Sequence, residues 1–112
     1  MNGIIDADTI ARAQSDYPAL SQLFGGYFHQ DWQQDHASPH AALQAFVRDA
    51  SPDSASAAAG EIDRLLDAGF DDDALARMLT DGFDCNYLPE SDGTSPAAWL
   101  RQVRDTLRAP AA

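Results

Sequence analysis

Residues 17–32 read YPALSQLFGGYFHQDW and bring five aromatic side chains into a chain otherwise rich in alanine, leucine and aspartate. The apolar members of the segment recur at intervals of three and four residues, which places them on one face of a helix: Leu20, Leu23, Phe24, Tyr27 and Phe28. A helix is therefore predicted here, although Gly25-Gly26 is a point at which it could break or bend. The aromatic rings are expected inside, with the polar neighbours on the surface.

Helix start signals recur along the rest of the chain. Ser38-Pro39, Ser51-Pro52 and Ser95-Pro96 each place an N-capping hydroxyl before a proline, whose missing N–H is not needed in the first helical turn. Apolar residues at helical spacing follow, in stripes that begin near residues 42, 58, 75 and 99. No strand pattern competes with them. The sequence predicts an all-α fold, a compact single-domain bundle of five or six short helices.

A length of 112 residues fits one domain. We expect an N-terminal segment of uncertain order at residues 1–16, a helical domain at residues 17–108 and a frayed tail at residues 109–112.

A four-residue motif that occurs twice in the middle of the chain predicts two helix ends. Ala68-Gly69-Phe70-Asp71 returns thirteen residues later as Asp81-Gly82-Phe83-Asp84. In each copy the glycine is expected to adopt the left-handed conformation and the phenylalanine to fold back onto the last turn, against Leu65 and Met78 respectively. Asp71 is expected to cap the next helix.

Charge limits the classes of partner. Eighteen acidic residues face seven basic ones, all of them arginine, and the formal net charge is −11. Such a surface repels phosphate backbones and anionic lipid, so we expect no nucleic-acid partner and no membrane partner. It would attract a basic protein. Acidity that only keeps the protein in solution is the alternative that charge leaves open.

The cellular compartment is suggested by what the sequence lacks. The single cysteine, Cys85, cannot form an intramolecular disulfide, which favours a reducing environment. The first residues do not show the basic and then apolar pattern of a signal peptide, and no apolar run approaches the roughly 20 residues that cross a bilayer. A cytoplasmic protein is expected.

A metal site can be imagined at three clustered histidines. His29, His36 and His40 lie within twelve residues, together with Asp31 and Asp35. The start signal at residues 38–39 separates the last two histidines, and no HExxH or paired-cysteine spacing is present. We expect no metal and no cofactor.

Catalytic motifs are also absent from the sequence. Cys85 lies between Asp84 and Asn86, where acidic surroundings would raise the thiol pKa instead of activating it. The serines lack the G-x-S-x-G context, and no glycine-rich loop leads into the Lys-Ser/Thr pair that binds phosphate. A non-enzymatic binding protein is the expectation.

Two stretches carry a family resemblance. The opening YPALSQLFGGYFHQDW and the later GFDCNYLPESDGTSPAAWLRQV, at residues 82–103, resemble a bacterial immunity-protein family associated with contact-dependent growth inhibition. The middle stretches, ALQAFVRDA and EIDRLLDAGFDDDALARML, are similar to it in style, and the resemblance covers residues 17–107.

The resemblance implies a small helical antidote that binds and neutralises the toxic C-terminal domain of a large exported effector, often a nuclease. The alternative is an acidic adaptor or regulatory module with a basic cellular partner, and a metal-dependent enzyme built on the His/Asp cluster ranks last. Because toxin-facing residues vary with each toxin, Tyr17, Trp32 and Trp99 are expected to maintain the fold. We predict that exposed acids contact the toxin: Asp31 and Asp35 on one side, and Asp71, Asp72, Asp73 and Asp84 on another.

Overall fold

A computed structural model of the chain describes residues 7–108, and within that range the protein contains helices and no strand. The α-helices are α1 Ala7–Ala11, α2 Ala13–Asp16, α3 Pro18–Tyr27, α4 Trp32–Asp35, α5 Pro39–Asp49, α6 Pro52–Asp67, α7 Asp72–Arg77 and α8 Pro96–Arg108. A π-helical turn, Met78–Gly82, continues α7, and a 3₁₀ turn spans Pro89–Asp92. Because α1, α2 and α4 are short, five longer helices form the body, which confirms the all-α prediction. The predicted tail at 109–112 lies outside the described residues, as do residues 1–6.

The predicted start signals do begin helices. The hydroxyls of Ser38, Ser51 and Ser95 accept the backbone N–H three residues further on, at 3.1, 3.1 and 3.2 Å. Asp71 caps α7 in the same way, because its carboxylate accepts the N–H of Ala74 at 2.9 Å. Four of the five longer helices therefore carry their own N-cap.

The exception is α3, whose cap comes from another helix. Its N-cap residue, Tyr17, makes no side-chain capping bond, and Pro18 has no N–H to satisfy. The N–H groups of Ala19 and Leu20 donate to the two carboxylate oxygens of Glu61 on α6, at 3.2 and 3.0 Å. Glu61 is 9% exposed, and it is the one buried charged side chain among residues 7–108. A negative group at the positive end of α3 thus fixes that helix onto α6.

The aromatic segment forms the centre of the core. Phe24 and Phe28 are fully buried against Trp99, with ring centroids 5.7 and 5.5 Å apart. Gly25 and Gly26 lie between them in an unbroken α3, so the predicted helix forms and the glycine pair does not break it. Tertiary packing on both sides of the pair outweighs the low helix propensity of glycine.

The two copies of the four-residue motif differ in backbone conformation. Gly69 has φ +87° and ends α6 in the left-handed conformation, as predicted. The prediction for Gly82 was wrong, because Gly82 is the last residue of the π-helical turn and the left-handed conformation is adopted by Asp84, at φ +56°. A Cβ on Gly82 would lie 2.9 Å from the Cβ of Ala13 on α2. Close approach of another helix, and not a positive φ, is what requires glycine there.

Helix α6 lies at the middle of the bundle, in contact with α3, α5 and α8. Its Asp63 accepts hydrogen bonds from Arg104 and Arg108 on α8, the first at 3.1 Å. These two guanidinium groups, Arg108 first, lower the pKa of Asp63. Two arginines of α8 thus join α8 to α6.

Candidate partner-binding surface

An open cleft separates the α4–α5 connection from the segment that follows the π-helical turn. It consists of two adjoining depressions of about 400 Å³ and about 320 Å³. Both are lined by Ser38, Pro39, Tyr87 and Asp92. The larger depression also reaches Trp32, and the smaller one extends to α8.

Backbone hydrogen bonds hold one wall of the cleft against the core. Cys85 N–H donates to the Leu79 carbonyl and Asn86 N–H to the Phe28 carbonyl, both at 2.8 Å. From this point the chain alternates between inside and outside. Its buried positions are Cys85, Tyr87 and Pro89, and its exposed positions are Asp84, Asn86, Leu88 and Glu90. Among residues 7–108 this segment has no partner strand, and its alternation displays a row of polar and apolar side chains.

The floor of the cleft is rigid. Tyr87 is 6% exposed, and its ring lies 5.1 Å from that of Trp99 and 5.7 Å from that of Trp32. Its hydroxyl donates to the Asp92 carboxylate at 2.5 Å. Burial first, and then this hydrogen bond, raise the pKa of Tyr87. The bond fixes the orientation of the Asp92 carboxylate.

Leu88 is an unusual feature of this surface. It is 49% exposed, and no other large hydrophobic side chain among residues 7–108 is exposed to this degree. It lines the larger depression and also a neighbouring one of about 230 Å³, together with Asp84 and Asn86. An exposed leucine thus lies beside carboxylates and close to the buried aromatic rings of the cleft.

The cleft also lacks positive charge. The two stretches that supply nearly all of it, residues 13–47 and 78–100, contain no arginine or lysine. In the part of the chain that the structure describes, two acids of these stretches have a charged or imidazole neighbour: Asp16 pairs with Arg12 at 3.6 Å, and the Asp35 carboxylate lies 3.2 Å from His29 Nε2. The negative charge of this face is therefore largely uncompensated within the chain.

Three of the predicted contact residues lie at this face. Asp31 and Asp35 are exposed and stand at the two ends of α4, whose Trp32 and Gln33 line the cleft. Asp84 is exposed beside Leu88. Asp84 thus adjoins the cleft through Leu88, which lines the larger depression and the neighbouring one.

The other three predicted acids lie elsewhere. Asp71, Asp72 and Asp73 are exposed at the start of α7. The continuous helical run of α7 and the π-helical turn lies between them and Asp84 along the chain. Asp71 caps α7, and the Asp72 carboxylate accepts the N–H of Ala97 at the start of α8, at 3.3 Å. Two of the three therefore have a structural role.

The three histidines take separate positions. His36 stacks on the Tyr27 ring with centroids 6.2 Å apart, whereas His40 lies on α5, with Nε2 3.2 Å from the side-chain nitrogen of Gln44. As predicted, α5 begins between them. Across residues 7–108, no three His, Cys, Asp or Glu side chains converge in a geometry that could hold a metal ion.

The cysteine is buried, with 3% of its surface exposed. Burial raises the pKa of the Cys85 thiol to about 12, and the Sγ–H donates to the Tyr87 carbonyl at 3.6 Å. The predicted rise in the thiol pKa is confirmed, but burial causes it and not the acidic neighbours.

No helix within residues 7–108 has the length and hydropathy needed to cross a bilayer.

Sequence reasoning did not identify Tyr87, Leu88 and Asp92 as candidate contact residues. The available signal was the absence of basic residues from 78 to 100, next to an aromatic and an aliphatic residue. That signal becomes specific only once Trp32 and Trp99 are known to meet Tyr87 in space.

Comparison with known proteins gives two findings. The model of the family described as CdiI immunity protein matches residues 16–107. The fold is similar to that of a chain in the crystal structure of a CdiA-CT/CdiI complex from Y. kristensenii 33638, with a TM-score of 0.79 and 28% sequence identity. The match covers 83% of this chain and 99% of that one. No curated protein has significant sequence similarity to the chain.

Proposed function

We propose a function from the premise that this chain belongs to the CdiI immunity protein family, whose model matches residues 16–107. The chain binds the toxic C-terminal domain of its cognate contact-dependent growth inhibition effector and thereby neutralises it. One observation carries this proposal: the fold is shared, at 28% identity, with nearly the full length of a chain in a CdiA-CT/CdiI complex. The chain acts by binding and carries out no reaction.

Charge supports a basic toxin surface as the target. The net charge of −11 and the uncompensated acids at the cleft favour a partner of opposite sign. A nuclease is such a partner, because it must hold phosphates with basic side chains. An acidic antidote that binds on or beside the phosphate-binding site of the toxin excludes the nucleic acid, because both are attracted to the same basic surface. We assign the contact to Asp31, Asp35 and Asp84 at the cleft.

Asp71, Asp72 and Asp73 form a second, separate candidate contact at the start of α7. The capping bonds of Asp71 and Asp72 leave those carboxylates able to accept further hydrogen bonds, because each oxygen has two lone pairs. Their contribution to binding is smaller in this proposal than that of the cleft acids.

A growth-rescue experiment tests the function. The chain is co-expressed with the C-terminal domain of the large exported effector encoded beside its own gene, and growth is followed after induction. We expect rescue by this chain and none by a CdiI protein from an unrelated locus. Continued growth arrest, with the chain present at levels above those of the toxin domain, would contradict the proposal.

Charge reversal at α4 tests where the toxin binds. The double variant Asp31→Lys/Asp35→Lys should slow association with the purified, catalytically inactive toxin domain by about tenfold at low salt, because it removes electrostatic steering. The defect should shrink in 1 M salt, where the screening length is about 3 Å. Association and dissociation rates are measured by biolayer interferometry at both salt concentrations.

The matched control reverses the same amount of charge elsewhere. Asp53 and Asp67 are exposed near opposite ends of α6, so the effects of their reversal on the helix dipole offset each other. Asp53→Lys/Asp67→Lys should slow association much less than the α4 pair does. Equal slowing in both double variants would mean that net charge alone steers the encounter. Unchanged rates in the α4 variant would exclude those two positions.

A further inference from the structure

We propose that the cleft between α4 and the 3₁₀ turn is the principal docking site for the toxin domain, and that it receives an arginine from a protruding loop of that domain. Asp92 binds the guanidinium group, and Leu88 packs against the apolar part of the same loop. This inference rests on the proposed function and identifies residues that the acidic pattern of the sequence did not single out.

The cleft is preorganised for one side chain. Its volume of about 400 Å³ on the α4 side lies in the range of pockets that hold small ligands, which is sufficient for an arginine side chain. Tyr87 forms the floor, held by two tryptophan rings and by its hydrogen bond to Asp92. A partner therefore meets a wall that is already ordered, and little conformational entropy is lost when it binds.

Charge and ring chemistry select a basic occupant. One oxygen of Asp92 accepts the Tyr87 hydroxyl, and the fixed carboxylate can accept N–H donors from outside. No arginine or lysine lies in residues 78–100 to compete for it, nor in residues 13–47 across the cleft. Arginine suits this site better than lysine, because its planar guanidinium pairs with carboxylates through a fixed fork of donors and also stacks on aromatic rings.

Leu88 supplies the apolar half of the contact. Its exposed half adjoins the same depression as Asp92, so a loop that inserts an arginine also covers Leu88. Covering it removes apolar surface from water and shields the new ion pair from solvent, which is how a few central residues dominate a protein interface. Asp31, Asp35 and Asp84 then steer the approach from the rim.

Two single variants test the site, each with a matched control. Leu88→Ala and Asp92→Asn should each raise the Kd for the inactive toxin domain by about tenfold or more, mainly through faster dissociation. The asparagine keeps an acceptor for Tyr87, so the floor of the cleft remains ordered. Leu66→Ala and Asp67→Asn remove the same groups from α6, away from the cleft, and should change the Kd by less than about twofold.

Amide hydrogen exchange locates the contact independently of any variant. In the wild-type complex we expect slower exchange over residues 86–94 and little change over residues 52–67. Wild-type affinity for both Leu88→Ala and Asp92→Asn would overturn the inference, and so would a loss confined to the leucine variant, because the occupant would then not be basic. Self-association of the free chain that Leu88→Ala abolishes would also overturn it, by making a second copy the occupant.

Failure of the proposed function would give a different binding result from failure of the docking site. If the wild-type chain itself does not bind the neighbouring toxin domain, the proposed function fails and takes this inference with it. If the wild type binds and both cleft variants bind equally well, the function stands and only the docking site is wrong.

Discussion

Replacing Glu61 by alanine should lower the free energy of unfolding by about 3 kcal/mol. The substitution leaves the N–H groups of Ala19 and Leu20 without their acceptors, and an unsatisfied buried donor costs about 1–3 kcal/mol. It also removes the negative charge at the positive end of α3, for which Tyr17 provides no substitute. Urea unfolding followed by circular dichroism measures the change.

The chain contains its own control for this prediction. Its other glutamate, Glu90, is exposed on the 3₁₀ turn, and Glu90→Ala should change stability by no more than about 0.5 kcal/mol. Glu61→Gln keeps one acceptor oxygen and should fall between the wild type and Glu61→Ala. If Glu61→Ala unfolds at the same urea concentration as Glu90→Ala, water satisfies the two donors and the carboxylate does not hold α3 in place.

Gly82→Ala should destabilise the protein by about 2 kcal/mol, although the residue has no positive φ. The new methyl group would lie 2.9 Å from the Cβ of Ala13 and would force α2 away from the π-helical turn. Removing the opposing methyl group relieves the clash. In the background of Ala13→Gly, the same Gly82→Ala change should therefore be close to neutral, which gives a coupling energy of about 1–2 kcal/mol in a double-mutant cycle.

Gly60→Ala is the matched control for this cycle. Gly60 lies inside α6, and a Cβ added there would meet nothing within 4 Å. Alanine should stabilise the protein at this position by up to about 1 kcal/mol, through its higher helix propensity. Destabilisation of Gly82→Ala that persists unchanged without the Ala13 methyl group would show that the backbone of the π-helical turn, and not the contact with α2, requires glycine.

The two glycine sites show why local pattern is informative at one position and misleading at another. Gly69 and Gly82 sit in almost the same tetrapeptide, and the left-handed ending predicted from that pattern occurs only at Gly69. At Gly82 the geometry is decided by Ala13 on α2, a helix sixty-nine residues earlier in the chain. Contacts between distant segments do not leave a periodic trace in sequence.

The sequence by itself determined the helices, because each start signal acts on backbone groups within three residues and each apolar stripe lies on one helix. Ser38, Ser51, Ser95 and Asp71 could therefore be assigned as caps, and the family could be recognised from two contiguous stretches. Only the tertiary structure decided the cap that Glu61 provides forty-one residues away from Leu20, and the cleft where Leu88 and Asp92 meet the wall formed by α4. Both depend on packing between segments that are far apart in the chain. The hydrogen bonds and the burial of these side chains arise only after the helices have packed together.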